Sequence, residues 1–341
     1  MIPPDFPADL KSALAAKLEG VSRREAAARA ALISQTYRDG GTSRGIRSET
    51  DALAYALARM PATYAAMAAS LNRLCEVRAD LAPVTLLDVG AGPGTASFAA
   101  AAAFPSLTSF TLLDDNDALR TLALELAHGH GRQEQTDYRK GDAVTLLANV
   151  DPADLVIASY VVGELNERAR SKLADLAWHK TRDTLVIVEP GTPAGYQRIL
   201  ALRDQLIAYG AHVAAPCPHQ EKCPLVAPDW CHFAQRLPRL RAHKQVKGVD
   251  VPFEDEKFSY LALTRQLQAH RPAARVLTPP HVGKMGVTAK FCSADGTSRL
   301  ATVPRRDKRL YAAARRWNWG DTVDAGAQGP GPSSGAMGKE L

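Results

Sequence analysis

The chain has 341 residues, enough for one large domain or two smaller ones with their own cores. Its formal net charge of +6 and sequence pI of about 9.1 favour an anionic partner such as nucleic acid. No apolar run approaches the roughly 20 residues of a membrane-spanning helix. The acids Asp5, Asp9, Glu19 and Glu25 near the start are atypical of an import signal, so we expect a cytoplasmic globular protein.

Residues 1–82 are predicted to form a helical N-terminal cap. Leu10, Leu14 and Leu18 recur at helical spacing, and glycines after the second predicted helix interrupt the pattern. Because proline disrupts a helix interior, Pro61 is expected to separate two further helices. The helices predicted after the first are 26–37, 48–59 and 62–77.

From Val84 onward, apolar runs alternate with helix-forming segments, a pattern that predicts an α/β fold. The predicted sheet is parallel, with helices on both faces, and ligands of such sheets bind at the carboxyl ends of the strands. The predicted strands after the first are 109–113, 137–139, 155–160 and 184–188.

A glycine-rich turn follows the first predicted strand. The apolar run Leu86–Val89 breaks into Gly90, Gly92 and Gly94 and then passes into an alanine-rich helix. Such a turn lets backbone N–H groups and a helix N-terminus approach a ligand closely. A dinucleotide-binding fingerprint would require glycine at the position of Thr95, so the spacing indicates a different ligand.

With Asp88 in front of it, this alternating glycine turn resembles motif I of the class I S-adenosylmethionine (SAM) methyltransferases. The resemblance implies SAM as a cofactor, contacted by Asp88, Gly90, Gly92 and Gly94. It also implies that the sheet is the Rossmann-like sheet of those enzymes. The alternative is a purely structural strand–helix junction.

Acids at the ends of the next two strands are candidates for the rest of the cofactor site. A ribose needs an acid after the second strand, because two carboxylate oxygens can accept from its neighbouring hydroxyls. Asp114 is the first candidate and Asp115 the second, with N-capping of the next helix by one of the pair as the alternative. Asp142, after the third strand, resembles the acid that meets the adenine amino group.

The loop at 159–165 lies where this fold often keeps residues that read the substrate. It has neither the Asn/Asp-Pro-Pro-aromatic turn of amino-group methyltransferases nor the cysteine of cytosine-C5 enzymes. Tyr160 and Glu164 are weak catalytic candidates, and an ordinary helix-start glutamate is the alternative for Glu164. The catalytic residues therefore stay unassigned.

Four cysteines form a second candidate site, separate from the glycine turn: Cys217, Cys223, Cys231 and Cys292. The first three share a proline-rich loop with little core-forming content, and four thiolates complete either a zinc site or an iron–sulfur cluster. The wide, uneven gaps favour the larger cluster, whereas His219 or His232 could replace a thiolate at zinc. The remaining alternative is that these cysteines are small buried hydrophobes.

Taken together, these motifs resemble the bacterial branch of the mitoribosomal small-subunit assembly factor family, whose members are methyltransferase-like. The resemblance implies a 4Fe–4S cluster on the four cysteines and binding to the small ribosomal subunit during its maturation. In that family methylation is unsettled, in keeping with the unassigned catalytic residues here. The matching segments are Arg59–Ala65, Asp88–Thr95, Glu189–Pro193, Cys217–His219, Cys223–Pro224, Trp230–Phe233 and Glu254–Tyr260.

Two basic stretches indicate contact with rRNA, because basic side chains neutralise phosphates and aromatic rings stack on unpaired bases. The alternative is that the charges are merely solvated and that the tryptophans pack a C-terminal helix predicted at 305–319. The first stretch contains Arg236, Arg239, Arg241, Lys244 and Lys247, with no acid among residues 236–247. The second contains Arg305, Arg306, Lys308, Arg309, Arg315 and Arg316, followed by Trp317 and Trp319.

The sequence therefore predicts a SAM-binding, methyltransferase-like protein with a 4Fe–4S cluster that binds the small ribosomal subunit and its rRNA and supports its assembly and translation. The alternatives are an active SAM-dependent rRNA methyltransferase and a methyltransferase with a structural zinc knuckle. The predicted regions are a helical cap (1–82), a SAM-binding domain (83–210), a cysteine-cluster and basic RNA-facing region (211–320) and a disordered tail (321–341).

Overall fold

A computed structural model describes residues 1–18, 22–38, 41–239, 251–268 and 271–324. The helices are α1 (Ala8–Lys17), α2 (Arg23–Arg38), α3 (Glu49–Val77), α4 (Thr95–Ala103), α5 (Asp117–Gly129), α6 (Ala143–Ala148), α7 (Glu167–His179), α8 (Pro193–Ala208) and α9 (Lys308–Ala314). The strands are β1 (Thr85–Val89), β2 (Ser109–Asp114), β3 (Thr136–Lys140), β4 (Ala153–Ser159), β5 (Thr181–Pro190), β6 (His212–Ala215), β7 (Phe233–Pro238), β8 (Phe253–Thr264), β9 (Ala274–Val276), β10 (His281–Val282), β11 (Gly286–Ser293), β12 (Ser298–Pro304) and β13 (Thr322–Val323).

The main sheet has the order β3-β2-β1-β4-β5-β8-β6. Strands β1 to β5 are parallel to one another, and β8 is inserted antiparallel between β5 and β6. The central strands β4 and β5 each contain an unbroken apolar run, Leu155–Ala158 and Leu185–Val188, as expected where both faces of a strand are covered. The predicted mixed α/β fold with a Rossmann-like sheet is confirmed.

Helices cover both faces of this sheet and bury two separate cores. Side chains of α3, α4 and α5 belong to one core, together with residues of α1 and α2. Side chains of α6, α7 and α8 belong to the other. The carboxyl ends of the parallel strands therefore open at one edge, between two helical layers. Within the described part of the chain, no helix is both long enough and apolar enough to cross a membrane.

Helix α3 differs from the prediction, because it runs through Pro61 as one helix instead of breaking there. Proline removes one helical hydrogen bond and usually interrupts a helix interior. Here Met60 and Tyr64, on either side of the proline, are fully buried in the core. Packing along this length holds the helix together where the local sequence favours a break.

Strand β8 carries other strands along both of its edges. One edge pairs with β5 over Phe258–Thr264. The other edge pairs first with β7, up to Phe258, and then with β6, from Ala262. Chain segments beyond residue 210 thus complete the main sheet, while β9 to β13 form a second, smaller sheet. The domain boundaries themselves stay a prediction.

The C-terminal elements are shorter than the sequence indicated. The basic helix is confined to α9, where the Asp307 side chain caps it by accepting a hydrogen bond from Leu310 N. Residues 321–341 were expected to be disordered, but Thr322–Val323 pair with β9. Residues 325–341 lie outside the described part of the chain.

The start of α3 provides a test of this account. Ser48 Oγ accepts from Asp51 N at 3.1 Å, and Asp51 Oδ2 accepts from Ser48 N at 3.0 Å, which makes a capping box. Replacing Ser48 with alanine should lower the free energy of unfolding by about 1 kcal/mol, measured by urea denaturation. The control Ser12→Ala, on an exposed face of α1, should change it by less than about 0.5 kcal/mol. Equal effects of the two substitutions would contradict this role.

Candidate cofactor pocket and cysteine cavity

A pocket of about 230 Å³ opens at the carboxyl ends of β1, β2 and β4. The structure brings nearly all predicted cofactor and catalytic residues together around it. Gly94 is the exception, since it does not line the pocket but begins α4 as its N-cap. The predicted residues that line it are Asp88, Gly90, Gly92, Asp114, Asp115, Asp142, Tyr160 and Glu164.

The glycine turn adopts the left-handed backbone that its sequence indicates, with φ of +69° at Gly90 and +79° at Gly94. A Cβ at Gly90 would lie 2.3 Å from Val161 Cγ2, so a side chain there would collide with the loop after β4. The amides of Gly90 and Ala91 both donate to the carbonyl of Leu113, which fixes the turn against β2. The turn therefore keeps its backbone close to the pocket.

Asp88 is buried beneath this turn. Its Oδ2 accepts from Ser97 N at 3.1 Å and from Ser97 Oγ at 2.7 Å. Its Oδ1 is buried without a hydrogen-bond partner in the part of the chain that the structure describes. Burial raises the pKa of this carboxyl to about 7, although the bonds from Ser97 oppose the rise. The pocket therefore contains a buried acid with one unused oxygen, and Ser159 Oγ on the same lining is also buried without a partner.

Asp114 has both oxygens engaged by the backbone: Oδ2 accepts from Gly92 N and Oδ1 from Asn116 N, each at 2.9 Å. Burial raises its pKa. Asp115 beside it is exposed on the pocket rim. The N-capping alternative for this pair is wrong, because the side chain of Asn116 caps α5 by accepting from Leu119 N. The assignment of Asp114 to a ribose stays a prediction.

Asp142 is the N-cap of α6 and is exposed at the pocket rim. Thr145 donates to Oδ1 of this carboxylate twice, from its amide and from its hydroxyl, each at 2.9 Å. Capping therefore accounts for one oxygen of Asp142. Its predicted role at adenine is untested.

Glu164 ends a 3₁₀ turn, Val162–Glu164. The helix-start alternative for this residue is wrong, because α7 begins three residues later and is capped by Asn166. Instead, Glu164 Oε2 accepts from both the amide and the hydroxyl of Ser43, each at 3.2 Å. The contact ties the segment before α3 to the pocket.

Asn116 fixes the same segment, since its side-chain amide donates to the carbonyls of Ser43 and Ile46 at 2.9 Å. Thr42, Ser43 and Arg44 consequently form part of the pocket wall. Local sequence patterns do not reveal this wall, because its contacts join residues more than 70 positions apart.

Tyr160 has a left-handed backbone, with φ of +59°. Its hydroxyl donates to Glu256 Oε1 at 2.9 Å, and burial raises its pKa well above the usual value. Arg59 of α3 lies close to this pair. Burial alone would lower the pKa of Arg59, but nearby negative charge, chiefly that of Glu256, raises it overall. Tyr160 is thus held protonated in an internal bond and is poorly suited to act as a base.

Glu189, at the end of β5, was quoted only as part of a motif, yet it is fully buried. Arg198 Nε donates to its Oε2 at 2.6 Å, and Gly163 N donates to its Oε1 at 3.3 Å. Burial raises the pKa of Glu189, whereas Arg198 favours its charged form. The pair fixes the loop that carries Tyr160 and Glu164.

The four predicted cysteines line one cavity next to β8. Cys217, Cys223 and Cys231 lie on the loop from β6 to β7, and Cys292 lies on β11 of the smaller sheet. The loop leaves and rejoins the same edge of β8, where Ser259 Oγ donates to the Cys231 carbonyl at 2.8 Å. The structure thus brings together residues that are far apart in sequence, and their role as metal ligands stays a prediction.

Hydrogen bonds surround the thiols. Tyr196 Oη lies 3.2 Å from Cys223 Sγ, and His219 Nε2 lies 3.2 Å from Cys292 Sγ. Burial raises the pKa of Cys292 and, with the nearby thiols, that of Cys231. Within the described residues, no group of three or more His, Cys, Asp or Glu side chains is arranged as a metal-binding site.

His232, the second histidine considered for zinc, packs between aromatic rings. It stacks on Trp230 with 4.9 Å between ring centroids and meets Trp319 edge-on at 4.8 Å. Trp317 likewise packs edge-on against Phe291. These contacts favour the packing alternative for the tryptophans over stacking on RNA bases.

The two basic stretches differ in whether their charges are paired with acids or exposed. In the first, Arg236 is paired with Asp255 and Arg239 with Glu254, so acids of β8 neutralise charges that the local sequence left unopposed. The other predicted residues of that stretch, Arg241, Lys244 and Lys247, lie outside the described part of the chain. The second stretch is exposed throughout: Arg305, Arg306, Lys308, Arg309, Arg315 and Arg316.

Comparison with solved structures matches methyltransferases at low TM-scores. The magnesium protoporphyrin IX methyltransferase of Synechocystis gives a TM-score of 0.39 at 13% identity, covering 61% of this chain and 87% of that one. An O-methyltransferase family protein of Burkholderia thailandensis gives 0.40 at 11% identity, covering 65% and 61%. Both TM-scores lie below 0.5 and assign neither a fold nor a function to this chain.

Curated proteins give closer matches. The chain is 30% identical over 290 residues to the mitochondrial ribosome assembly protein METTL17 of Homo sapiens, covering 80% of this chain and 62% of that protein. It is 26% identical to the mitochondrial Rsm22-cox11 tandem protein 1 of Schizosaccharomyces pombe, covering 89% and 47%. The chain thus spans about half to three fifths of the length of these relatives.

Residues 49–324 match the family described as mitochondrial small ribosomal subunit Rsm22. The match begins with α3 and ends just after β13, so it includes the glycine turn, all four cysteines and both sheets. Since this is most of its length, the chain belongs to the Rsm22 family.

Proposed function

We propose that this protein binds SAM at the glycine turn and a 4Fe–4S cluster through Cys217, Cys223, Cys231 and Cys292. We further propose that it binds the small ribosomal subunit through its rRNA and supports assembly and translation. The observation that carries the proposal is that all four cysteines line one cavity in a member of this family. The cofactor pocket beside the glycine turn supports the SAM part.

The charge of the pocket suits SAM, which carries a sulfonium and an ammonium group. The lining includes the carboxylates of Asp88, Asp114 and Asp142. The unpartnered oxygens of Asp88 and Ser159 need a polar ligand or water, because a buried polar atom without a hydrogen bond is costly. Bound SAM would supply a transferable methyl group, and its ammonium group could interact with the carboxylate of Asp88.

The hydrogen bonds of the two catalytic candidates, Tyr160 and Glu164, favour SAM binding without methyl transfer. The Tyr160 hydroxyl is bonded to Glu256, and Glu164 accepts two hydrogen bonds from Ser43. Both side chains therefore have positioning roles that compete with acid–base chemistry. We accordingly place assembly ahead of rRNA methylation as the function.

The affinity for SAM should depend on pH through Asp88. The pKa of this carboxyl is about 7 in the ligand-free protein, so acid protonates it and weakens its attraction for a cation. The ammonium of SAM stays charged below its own pKa of about 7.7–8.0. Calorimetric affinity should therefore rise about tenfold between about pH 5.5 and about pH 7. Asp88→Asn should bind more weakly and should lose most of this dependence. A parent affinity that is flat over this range would contradict the assignment.

The spacing of the four cysteines along the chain fits a cluster better than one metal ion. The cysteines share a cavity, and the gaps between them in the sequence are wide and uneven. A cluster places several irons and sulfides between its ligands and so suits more widely separated thiolates. This reasoning favours 4Fe–4S over the zinc alternative.

Iron and sulfide analysis of anaerobically purified protein tests the cluster. The parent should contain about four irons and four sulfides per chain and absorb near 400 nm. Cys231→Ser should lose most of both. Cys75→Ser is the matched control, because Cys75 lies on α3 and does not line the cavity, and it should resemble the parent. Stoichiometric zinc without sulfide would refute the cluster.

Contact with rRNA is supported by the exposed basic residues around α9. Six such side chains lie between Arg305 and Arg316, all of them exposed. Arginine and lysine neutralise backbone phosphates, and the counterions released make such binding depend on salt. This surface is a stronger candidate than Arg236 and Arg239, which are already paired with acids.

Salt titrations with small-subunit rRNA test this surface. The double substitution Arg306→Gln with Arg309→Gln should weaken binding and reduce the slope of log K against log salt by roughly 1–2. The control Arg168→Gln with Lys172→Gln removes two exposed charges from α7. It should leave the slope near that of the parent. If both pairs changed the slope equally, binding would reflect net charge instead of this surface.

A further inference from the structure

Two arginines reach the cysteine cavity and are almost completely buried: Arg203 of α8 is 3% exposed and Arg275 of β9 is 1% exposed. Backbone carbonyls hold both guanidinium groups. Arg275 donates to Pro216 O and Gly320 O at 2.8 Å, and it is the register partner of Cys292 in the smaller sheet. The cavity therefore has two fixed cations in its lining.

Arg203 is anchored in a similar way, by bonds to the carbonyls of His219 at 3.2 Å and Glu221 at 2.8 Å. These carbonyls belong to the cysteine loop itself. Both arginines therefore link the loop to the rest of the fold, but a neutral donor could also make such bonds. Their positive charge needs a separate explanation.

Several donors in this lining have no partner. Arg203 Nε, Arg275 Nη2 and the hydroxyl of Tyr260 are buried without a hydrogen bond to any described residue, and all three side chains line the cavity of the four cysteines. A buried polar group normally finds a partner in the protein or in a bound molecule. Three such donors around one cavity indicate an acceptor inside it.

The positive charge of these arginines is also poorly balanced by acids. Among the described residues, the one acid that pairs with Arg203 is Asp204, at 3.1 Å, and the side chain of Asp204 is 56% exposed. In the described part of the chain, Arg275 forms no ion pair with a carboxylate. Burying charge without a close counter-ion is strongly unfavourable. The bound group should therefore be an anion.

We propose that Arg203 and Arg275 are the counter-charges of a thiolate-ligated cluster and set its reduction potential as positioning residues. This inference rests on the proposed cluster. An oxidised 4Fe–4S core carries a charge of about +2, so four thiolate ligands bring the centre to about −2. The two guanidinium groups offset that charge, and the free N–H groups are available to its sulfur atoms.

The direction of the effect on the potential follows from charge. Reduction by dithionite adds one electron to the cluster, breaks no bond and makes the centre more negative. Nearby cations and hydrogen bonds to sulfur stabilise the more negative state. Removing either positive charge should therefore shift the midpoint potential to more negative values.

Redox titration of the anaerobically purified full-length chain, followed optically and by electron paramagnetic resonance, tests this inference. Arg203→Gln and Arg275→Gln should each retain iron and sulfide but titrate at a more negative potential. Arg203→Lys and Arg275→Lys keep the charge and should lie closer to the parent. Arg265→Gln is the control, because Arg265 also donates to two backbone carbonyls, those of Thr181 and Trp178, but does not line the cavity.

The outcomes separate this inference from the cluster itself. A parent without iron and sulfide would refute the cluster. A loaded parent whose glutamine variants titrate at its own potential would overturn only the role of the arginines. If both glutamine variants failed to fold in metal-free form, judged by circular dichroism, the arginines would be structural and the proposal would also fall.

Discussion

Strand β8 is the element on which both sites depend. One edge pairs with β5, and the other pairs with β7 and β6 but leaves the stretch between them, around Ser259, free of strand partners. The cysteine loop occupies that stretch, and Ser259 holds the Cys231 carbonyl. Three residues earlier, Glu256 accepts from Tyr160 in the wall of the cofactor pocket. A single strand thus fixes the backbone beside the cysteines and the loop beside the glycine turn.

The two cavities have opposite electrostatic character, and this difference matches the charges of the two proposed ligands. Carboxylates line the pocket at the glycine turn, where Asp88 has an unpartnered oxygen. The cysteine cavity instead contains Arg203 and Arg275, with unpartnered N–H groups. An acidic pocket favours a cationic cofactor, whereas a cavity lined by buried guanidinium groups favours an anionic centre. Each site is therefore incomplete without the charge that the proposed ligand brings.

The sequence predicted the fold and, apart from Gly94, singled out residues that line the two cavities, because these depend on local patterns: apolar runs, a glycine turn and clustered cysteines. The prediction from sequence was wrong or incomplete where contacts between distant residues determine the structure. Core packing keeps α3 continuous across Pro61. Asp255 on the neighbouring strand neutralises the charge of Arg236. The bond between Ser43 and Glu164 spans 121 positions and has no local signature. Arg203 and Arg275 escaped notice for the same reason, since nothing in their neighbourhoods links them to the cysteines. Which charged side chains line a cavity can be determined only when the fold is known.

The central claim is that one fold holds a cationic cofactor at one site and an iron–sulfur cluster at the other. The most direct test is anomalous diffraction at the iron absorption edge, on crystals of protein purified without oxygen. The account predicts one compact iron peak surrounded by the sulfur atoms of Cys217, Cys223, Cys231 and Cys292, with Arg203 and Arg275 beside it. A signal at the zinc edge in that position, or no anomalous signal among the four cysteines, would contradict it.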